Sequence, residues 1–246
     1  MRRRKTKVTT IGPNSPAVPL SWRSGHGKFQ GKPALFHATT PKNAKTIFEV
    51  SARLKKAGVL VPHVEYREPV VIYEKIGSKR KGYRKNDLTE FLVKFYETRA
   101  NRQRPNVAKL NKLLTSLAIS IAKTHVAGIA HGNVHFSNVP VAKNRVGLVD
   151  HRLAEIETVD WHNPHNVYGV FENDYRLLSE SFIEIARFFQ DPKIQRSLLR
   201  RRAWFFDKLL LHYPLNASKR EVLKTRINKN YAIWSRAALT GKIALY

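Results

Sequence analysis

The apolar positions of this chain change their period along its length. In the first part, Ala34-Leu35-Phe36-His37-Ala38 and Val70-Val71-Ile72-Tyr73 are short continuous runs rich in β-branched and aromatic residues, which predicts strands. Between them, residues 43–57 place Ile47, Val50, Leu54 and Ala57 on one helical face, and Gly58 follows as a C-terminal cap. Beyond residue 77 the period is helical. Asp87-Leu88-Thr89-Glu90 is a capping box that opens a helix to about Arg99. The clearest helix runs over 107–126, where Leu110, Leu113, Leu114, Leu117 and Ile121 form a broad stripe ended by Gly128. Further helices are predicted near 174–189, 194–211 and 218–236. Leu178, Phe182, Ile185 and Phe189 form the first stripe. Ser218-Lys219-Arg220-Glu221 reads as a second capping box ahead of Leu223, Ile227 and Trp234. Strands with one helix, then mostly helices, predict an α+β fold in two parts. No internal repeat is present.

Residues 1–20 are basic and then punctuated by Pro13, Pro16 and Pro19, which predicts an extended, flexible arm. Gly25, Gly27 and Gly31 place turns and a strand after it. The organisation expected is therefore an arm (1–20), a β-rich part (21–76) and a helical part (77–246) with basic C-terminal helices.

Charge changes this picture most. The 45 Lys and Arg against 18 Asp and Glu give a formal net charge of +27, a field that attracts polyanions. RNA or a ribonucleoprotein is the partner expected, with an acidic protein surface as an alternative. Arg2-Arg3-Arg4-Lys5, Lys79-Arg80-Lys81, Arg99 to Arg104 (with Arg102 and Arg104) and Arg200-Arg201-Arg202 are the candidate contacts. Tyr83, Trp204 and Trp234 lie near such clusters and suit either core packing or base stacking. Lys219, Arg220, Lys224, Arg226 and Lys229 form either a solvated or a phosphate-binding face.

No apolar run approaches the ~20 residues that span a bilayer. The N-terminus MRRRKTKVTT lacks the apolar stretch of a secretory signal. An intracellular protein, cytoplasmic or in another compartment, is the expectation. There is no cysteine, and His131, His135, His162 and His165 lack a local set of four ligands, so no zinc is expected.

The candidate chemistry lies in Ala130–Asp150. His131-Gly132-Asn133 is followed by Asn138 and then by the apolar run Val146-Gly147-Leu148-Val149 ending in Asp150-His151-Arg152. This segment resembles the catalytic loop and Asp-Phe-Gly segment of the protein-kinase-like superfamily. The nearest likeness is to its small atypical members: RIO-type kinases, the kinase of the tRNA threonylcarbamoylation complex and the lipopolysaccharide-core sugar kinases. Arg53 to Pro62 is similar to their passage after the regulatory helix. Ile72-Tyr73-Glu74-Lys75-Ile76-Gly77 looks like their interlobe hinge. Lys123 to Gly132 is similar to their lead into the catalytic loop.

The resemblance implies a two-lobed kinase-like fold, with a small β-rich N-lobe and a helical C-lobe, and ATP and Mg²⁺ as cofactors. It gives Asp150 and Asn138 the metal-facing positions, which suits a hard cation that prefers oxygen. It gives His131 and Asp174 the bracing of the loop, and Glu74, His37 and Glu49 the surroundings of the nucleotide. Asn133 stands where the catalytic carboxylate belongs. An amide orients a hydroxyl but cannot take its proton, and losing a general base typically costs 10²–10⁴ in rate. His37 stands where a phosphate-binding Lys is expected, and the Gly of Asp-Phe-Gly is replaced by Arg152. The function expected is that of a pseudokinase with weak or no phosphotransfer, associated with RNA. An active atypical ATP-dependent kinase acting on a protein or a phosphorylated sugar, and a purely structural component of a large complex, are the alternatives.

Overall fold

In the computed structural model the chain is α+β, and residues 9–11, 24–29, 32–67, 70–74, 76, 87–101 and 103–239 are described. The sheet strands are β1 (Thr9–Ile11), β2 (Ser24–Phe29), β3 (Lys32–Ala38), β4 (Val64–Arg67) and β5 (Val70–Glu74), in the order β1-β2-β3-β5-β4. Neighbours are antiparallel except β1, which runs parallel to β2 with Ile11 opposite Phe29. The expected arm is thus corrected over Thr9–Ile11: its alternation-poor TTI is β-branched enough to add an edge strand.

Helix α1 (Pro41–Lys56) starts where Thr40 accepts a hydrogen bond from the Asn43 amide, with Pro41 in its first turn. Its buried face serves two cores. Ala44 and Ile47 pack with Val64, Val71 and Tyr73 of the sheet, whereas Val50 and Leu54 join the larger helical core.

That larger core is built by α2 (Leu88–Ala100), α3 (Val107–Val126), α4 (Pro164–Phe188), α5 (Pro192–Leu211) and α6 (Ala217–Leu239). Asp87 accepts from the Glu90 amide at 2.9 Å, so the predicted cap of α2 forms. The apolar stripe of α3 meets Phe182 of α4 and Phe205 of α5 in one fully buried cluster. Two expectations are corrected. Helix α4 begins at Pro164, well before residue 174, because Asn163 caps it and Pro at the first helical position lacks only an amide that would be unpaired anyway. Helix α6 is capped by Asn216, which accepts from the Lys219 amide at 2.9 Å, and not by Ser218. No helix among the described residues is long and apolar enough to cross a membrane.

Short pairs complete the helical part. Strand β6 (Ile129–Ala130) pairs with β9 (Glu155–Ile156), and β7 (Val141–Ala142) pairs with β8 (Arg145–Val146). They gather the segment 131–154 between α3 and α4.

Candidate functional site

The β6–β9 pair fixes both ends of the loop segment, and Gly132 fixes its path. Gly132 has φ +72°, and a Cβ there would fall 2.2 Å from the Leu153 carbonyl oxygen. Only glycine fits both the left-handed backbone and this approach.

Asp174, on α4 and 1% exposed, anchors the same turn. Its carboxylate accepts from the backbone amides of His131 at 2.7 Å and Gly132 at 2.8 Å, and from His125 Nε2 at 3.1 Å. Behind it runs a buried polar chain. His125 Nδ1 bonds the Tyr213 hydroxyl, which lies 3.1 Å from that of Tyr175, and the His125 ring stacks on Phe171 at 3.8 Å. One direction of donation satisfies every group: Tyr175 O–H to Tyr213, Tyr213 O–H to Nδ1, and Nε2–H to Asp174. Burial pulls His125 towards its neutral form against the attraction of Asp174. Burial alone would raise the Asp174 pKa, but the His125 hydrogen bond and the backbone donors outweigh it and hold the carboxyl below its usual range.

The front of the loop carries the residues that the resemblance singles out. Asp150 adopts a left-handed backbone, φ 65° and ψ 58°, which aims its carboxylate back at the loop. Asn133 Nδ2 donates to Asp150 Oδ2 at 2.8 Å, and Asn138 Nδ2 donates to the Asn133 carbonyl at 2.9 Å. Arg152 closes on both carboxylate oxygens: Nε bonds Oδ1, and Nη2 lies 2.6 Å from Oδ2. The Asp150 hydrogen bond holds the Arg152 guanidinium even more firmly protonated than usual. These residues therefore bring the expected oxygen donors together, but in an arrangement that does not fit a divalent cation. The Asp150 oxygens already face an organic cation and an amide N–H, so a metal would have to displace both.

His131 and His151 lie edge to face with ring centroids 5.2 Å apart, and both are fully buried. His131 Nδ1 accepts from the Asn133 amide at 3.3 Å, and His151 Nδ1 meets the Ser51 hydroxyl of α1 at 3.2 Å. The Nε2 atoms of both rings lack a partner among the described residues. Burial, assisted by the neighbouring His131, pushes the His151 pKa down to about 3. The Tyr73 hydroxyl of β5 lies within electrostatic reach of Asp150 and Arg152 and also lacks a hydrogen-bond partner among the described residues. Burial, reinforced by the Asp150 charge, drives its pKa up.

The other expected residues are scattered. The backbone of His37 pairs with Val71 in the sheet, and its side chain lies outside the described residues. Glu74 donates its amide to the His63 carbonyl at 2.9 Å. Glu49 is corrected: it forms an ion pair with Arg53 at 2.9 Å on the half-exposed side of α1. Ser51, which does reach the site, is two positions away and so on the opposite side of the helix.

Arg2, Arg3, Arg4, Lys79, Arg80, Lys81 and Arg102 lie outside the described residues. Arg104 and Arg200 are exposed, and Arg201 bonds Asn111 of α3. Arg202 is corrected as a nucleic-acid contact, because it is 2% exposed. Its guanidinium donates to Ser179 and Asn228 and lies 3.5 Å from the Tyr231 ring centroid and 4.7 Å from that of Phe206. No carboxylate meets it among the described residues, and burial lowers its pKa to about 10. His165 stands in the first turn of α4 and meets Arg226 Nη1 at 2.7 Å.

Sequence reasoning missed Ser51, Tyr175 and Tyr213, which carry no motif and are joined only by the fold, and it included His125 in the lead into the loop without giving it a role. It placed Arg152 as a departure without seeing that this residue engages Asp150. No protein-family model matches the chain, and no curated protein does.

Proposed function

We propose that this protein is a pseudokinase of two-lobed, kinase-like fold that associates with RNA or a ribonucleoprotein through its basic surface. The observation that carries the reading is the Asp150–Arg152 pair. The chain supplies its own cation to the carboxylate that, by the resemblance, would hold Mg²⁺. Asn133 adds a second obstacle, since it gives an N–H to Asp150 where a base would take a substrate proton. Phosphoryl transfer depends on positioned metal and charge neutralisation, so both changes bear directly on activity. The anchoring of His131 and Gly132 by Asp174 supports a loop kept for its shape.

The RNA half of the reading rests on the net charge of +27. A field of this size draws phosphate backbones whatever their sequence.

The test is calorimetry and radiolabel transfer with Mg-ATP on the purified protein. The expected result is no Mg²⁺-dependent turnover. ATP turnover that disappears in Asp150→Ala would overturn the reading and favour the active atypical kinase.

A further inference from the structure

Helix α3 has a second face. Opposite its apolar stripe, Lys112, Thr115, Ser116, Ile119 and Lys123 line a groove of about 440 Å³ that is closed on one side by Arg145 and Asn144 of the β7–β8 hairpin. The sequence contains no Asp or Glu between Glu97 and Asp150, so neither α3 nor the hairpin has an acid of its own to quench these cations. Lys112, Lys123, Asn144 and Arg145 are all exposed.

The groove is held in shape by specific contacts. Ser116 accepts the Val146 amide at 3.2 Å, which docks the hairpin and sets Arg145 at the rim. Gly58, with φ +74°, lies under Lys123: a Cβ there would come 3.1 Å from Nζ, so the absence of a side chain leaves room for the ammonium. At the other end, Arg201 of α5 bonds Asn111 and lies 6.0 Å over the Trp204 ring, and Lys208 lies 5.8 Å over the same ring. The cationic strip thus continues from the groove onto α5, past a half-buried aromatic.

We propose that this groove binds the backbone of single-stranded RNA. The inference rests on the RNA-association reading above and names the surface that performs it. The cations are spread along the groove: Lys112 and Lys123 are about 17 Å apart along the helix axis, a span that meets several successive phosphates. Between them stand neutral donors and acceptors, Thr115 and Asn144. Ribose 2′-hydroxyls, which both donate and accept, pair with such groups. Trp204 at the end of the strip suits a base ring.

The experiment is anisotropy of a labelled 20-nucleotide oligouridylate with the full chain over a series of KCl concentrations. The groove variant is Lys112→Gln/Lys123→Gln/Arg145→Gln. The control, Lys45→Gln/Arg187→Gln/Lys193→Gln, removes the same charge from exposed positions outside the groove. Each lost phosphate contact on a single strand flattens the log-affinity against log-salt slope by about 0.7, so the groove variant should flatten it by about 2. The groove variant should lose at least about tenfold in affinity near 150 mM salt, and the control much less. Equal losses in both variants would overturn the groove and leave general RNA association standing. No binding by the unmutated chain would overturn the RNA-association reading itself. Displacement of the RNA by polyglutamate at equal charge concentration would overturn the assignment in favour of an acidic protein.

Discussion

Arg152 Nη2 lies 2.6 Å from Asp150 Oδ2, and Nε of the same guanidinium bonds Oδ1. Two residues apart, a cation and an anion close on each other where the resemblance would put a metal. Arg152→Gly opens that carboxylate without touching Asn133 or Asn138. The variant should gain a Mg²⁺-dependent rise in Tm of about 2–4 °C per kcal/mol of binding, whereas the unmutated protein should not respond. Differential scanning fluorimetry with and without MgCl₂ measures this. A variant as indifferent to Mg²⁺ as its parent would show that Asp150 is no metal ligand even without the Arg152 guanidinium.

The buried histidines give stability a pH dependence of definite sign. His125, His131 and His151 all have folded-state pKa values below the usual value, chiefly through burial. The unfolded chain therefore binds more protons below about pH 6.5, and stability falls as pH drops from there towards the folded-state values. His151, whose folded value is about 3, alone contributes a loss of about 2 kcal/mol between pH 7.5 and 5. Urea unfolding at pH 7.5, 6 and 5 should show the decline, and His151→Phe should flatten it. An unchanged slope in that variant would place the proton uptake elsewhere.

Neighbouring arginines on α5 should behave in opposite ways. Arg202 is buried against Ser179, Asn228 and two aromatic rings, so Arg202→Ala leaves a cavity and unpaired polar groups. It should destabilise the protein by about 3 kcal/mol and leave the RNA affinity of the folded fraction unchanged. Arg200→Ala, at an exposed position, should change stability by less than about 0.5 kcal/mol. Paired denaturation and RNA-binding measurements on the two variants decide this. A loss of RNA affinity in folded Arg202→Ala would restore that residue to the binding surface.

The elements were legible in the sequence where one local signal sufficed. The Asp87 cap and the stripe Leu110, Leu113, Leu114, Leu117 and Ile121 placed α2 and α3 because periodicity and capping act within a few residues. Pro164 hid the start of α4, since proline signals both a helix break and a first helical position. At the site, it was the resemblance that put Asn133, Asn138 and Asp150 in one cluster, and they are joined there by hydrogen bonds. The polar chain from Asp174 through His125 to Tyr213 was not legible, because its members come from separate helices and the segment after α5. Arg202 illustrates the converse. In the sequence it is one of three like cations, and only packing shows that it faces inward.

Gly132 offers the sharpest test of how rigidly the loop is built. A methyl group there would need to occupy space 2.2 Å from the Leu153 carbonyl oxygen, on a backbone at φ +72°. Strain in the left-handed region costs about 1–2 kcal/mol for an alanine, and the backbone collision adds to it because a carbonyl within the 3-10 turn His151–Leu153 cannot swing aside alone. Gly132→Ala should therefore destabilise the protein by about 3 kcal/mol or displace the turn that carries His151. In the second case the burial of His151 is broken, its pKa returns towards 6.5, and an NMR titration of the imidazole reads the change directly. A variant with full stability and an untitrating His151 would mean that the loop tolerates the methyl group and that glycine is not required by this approach.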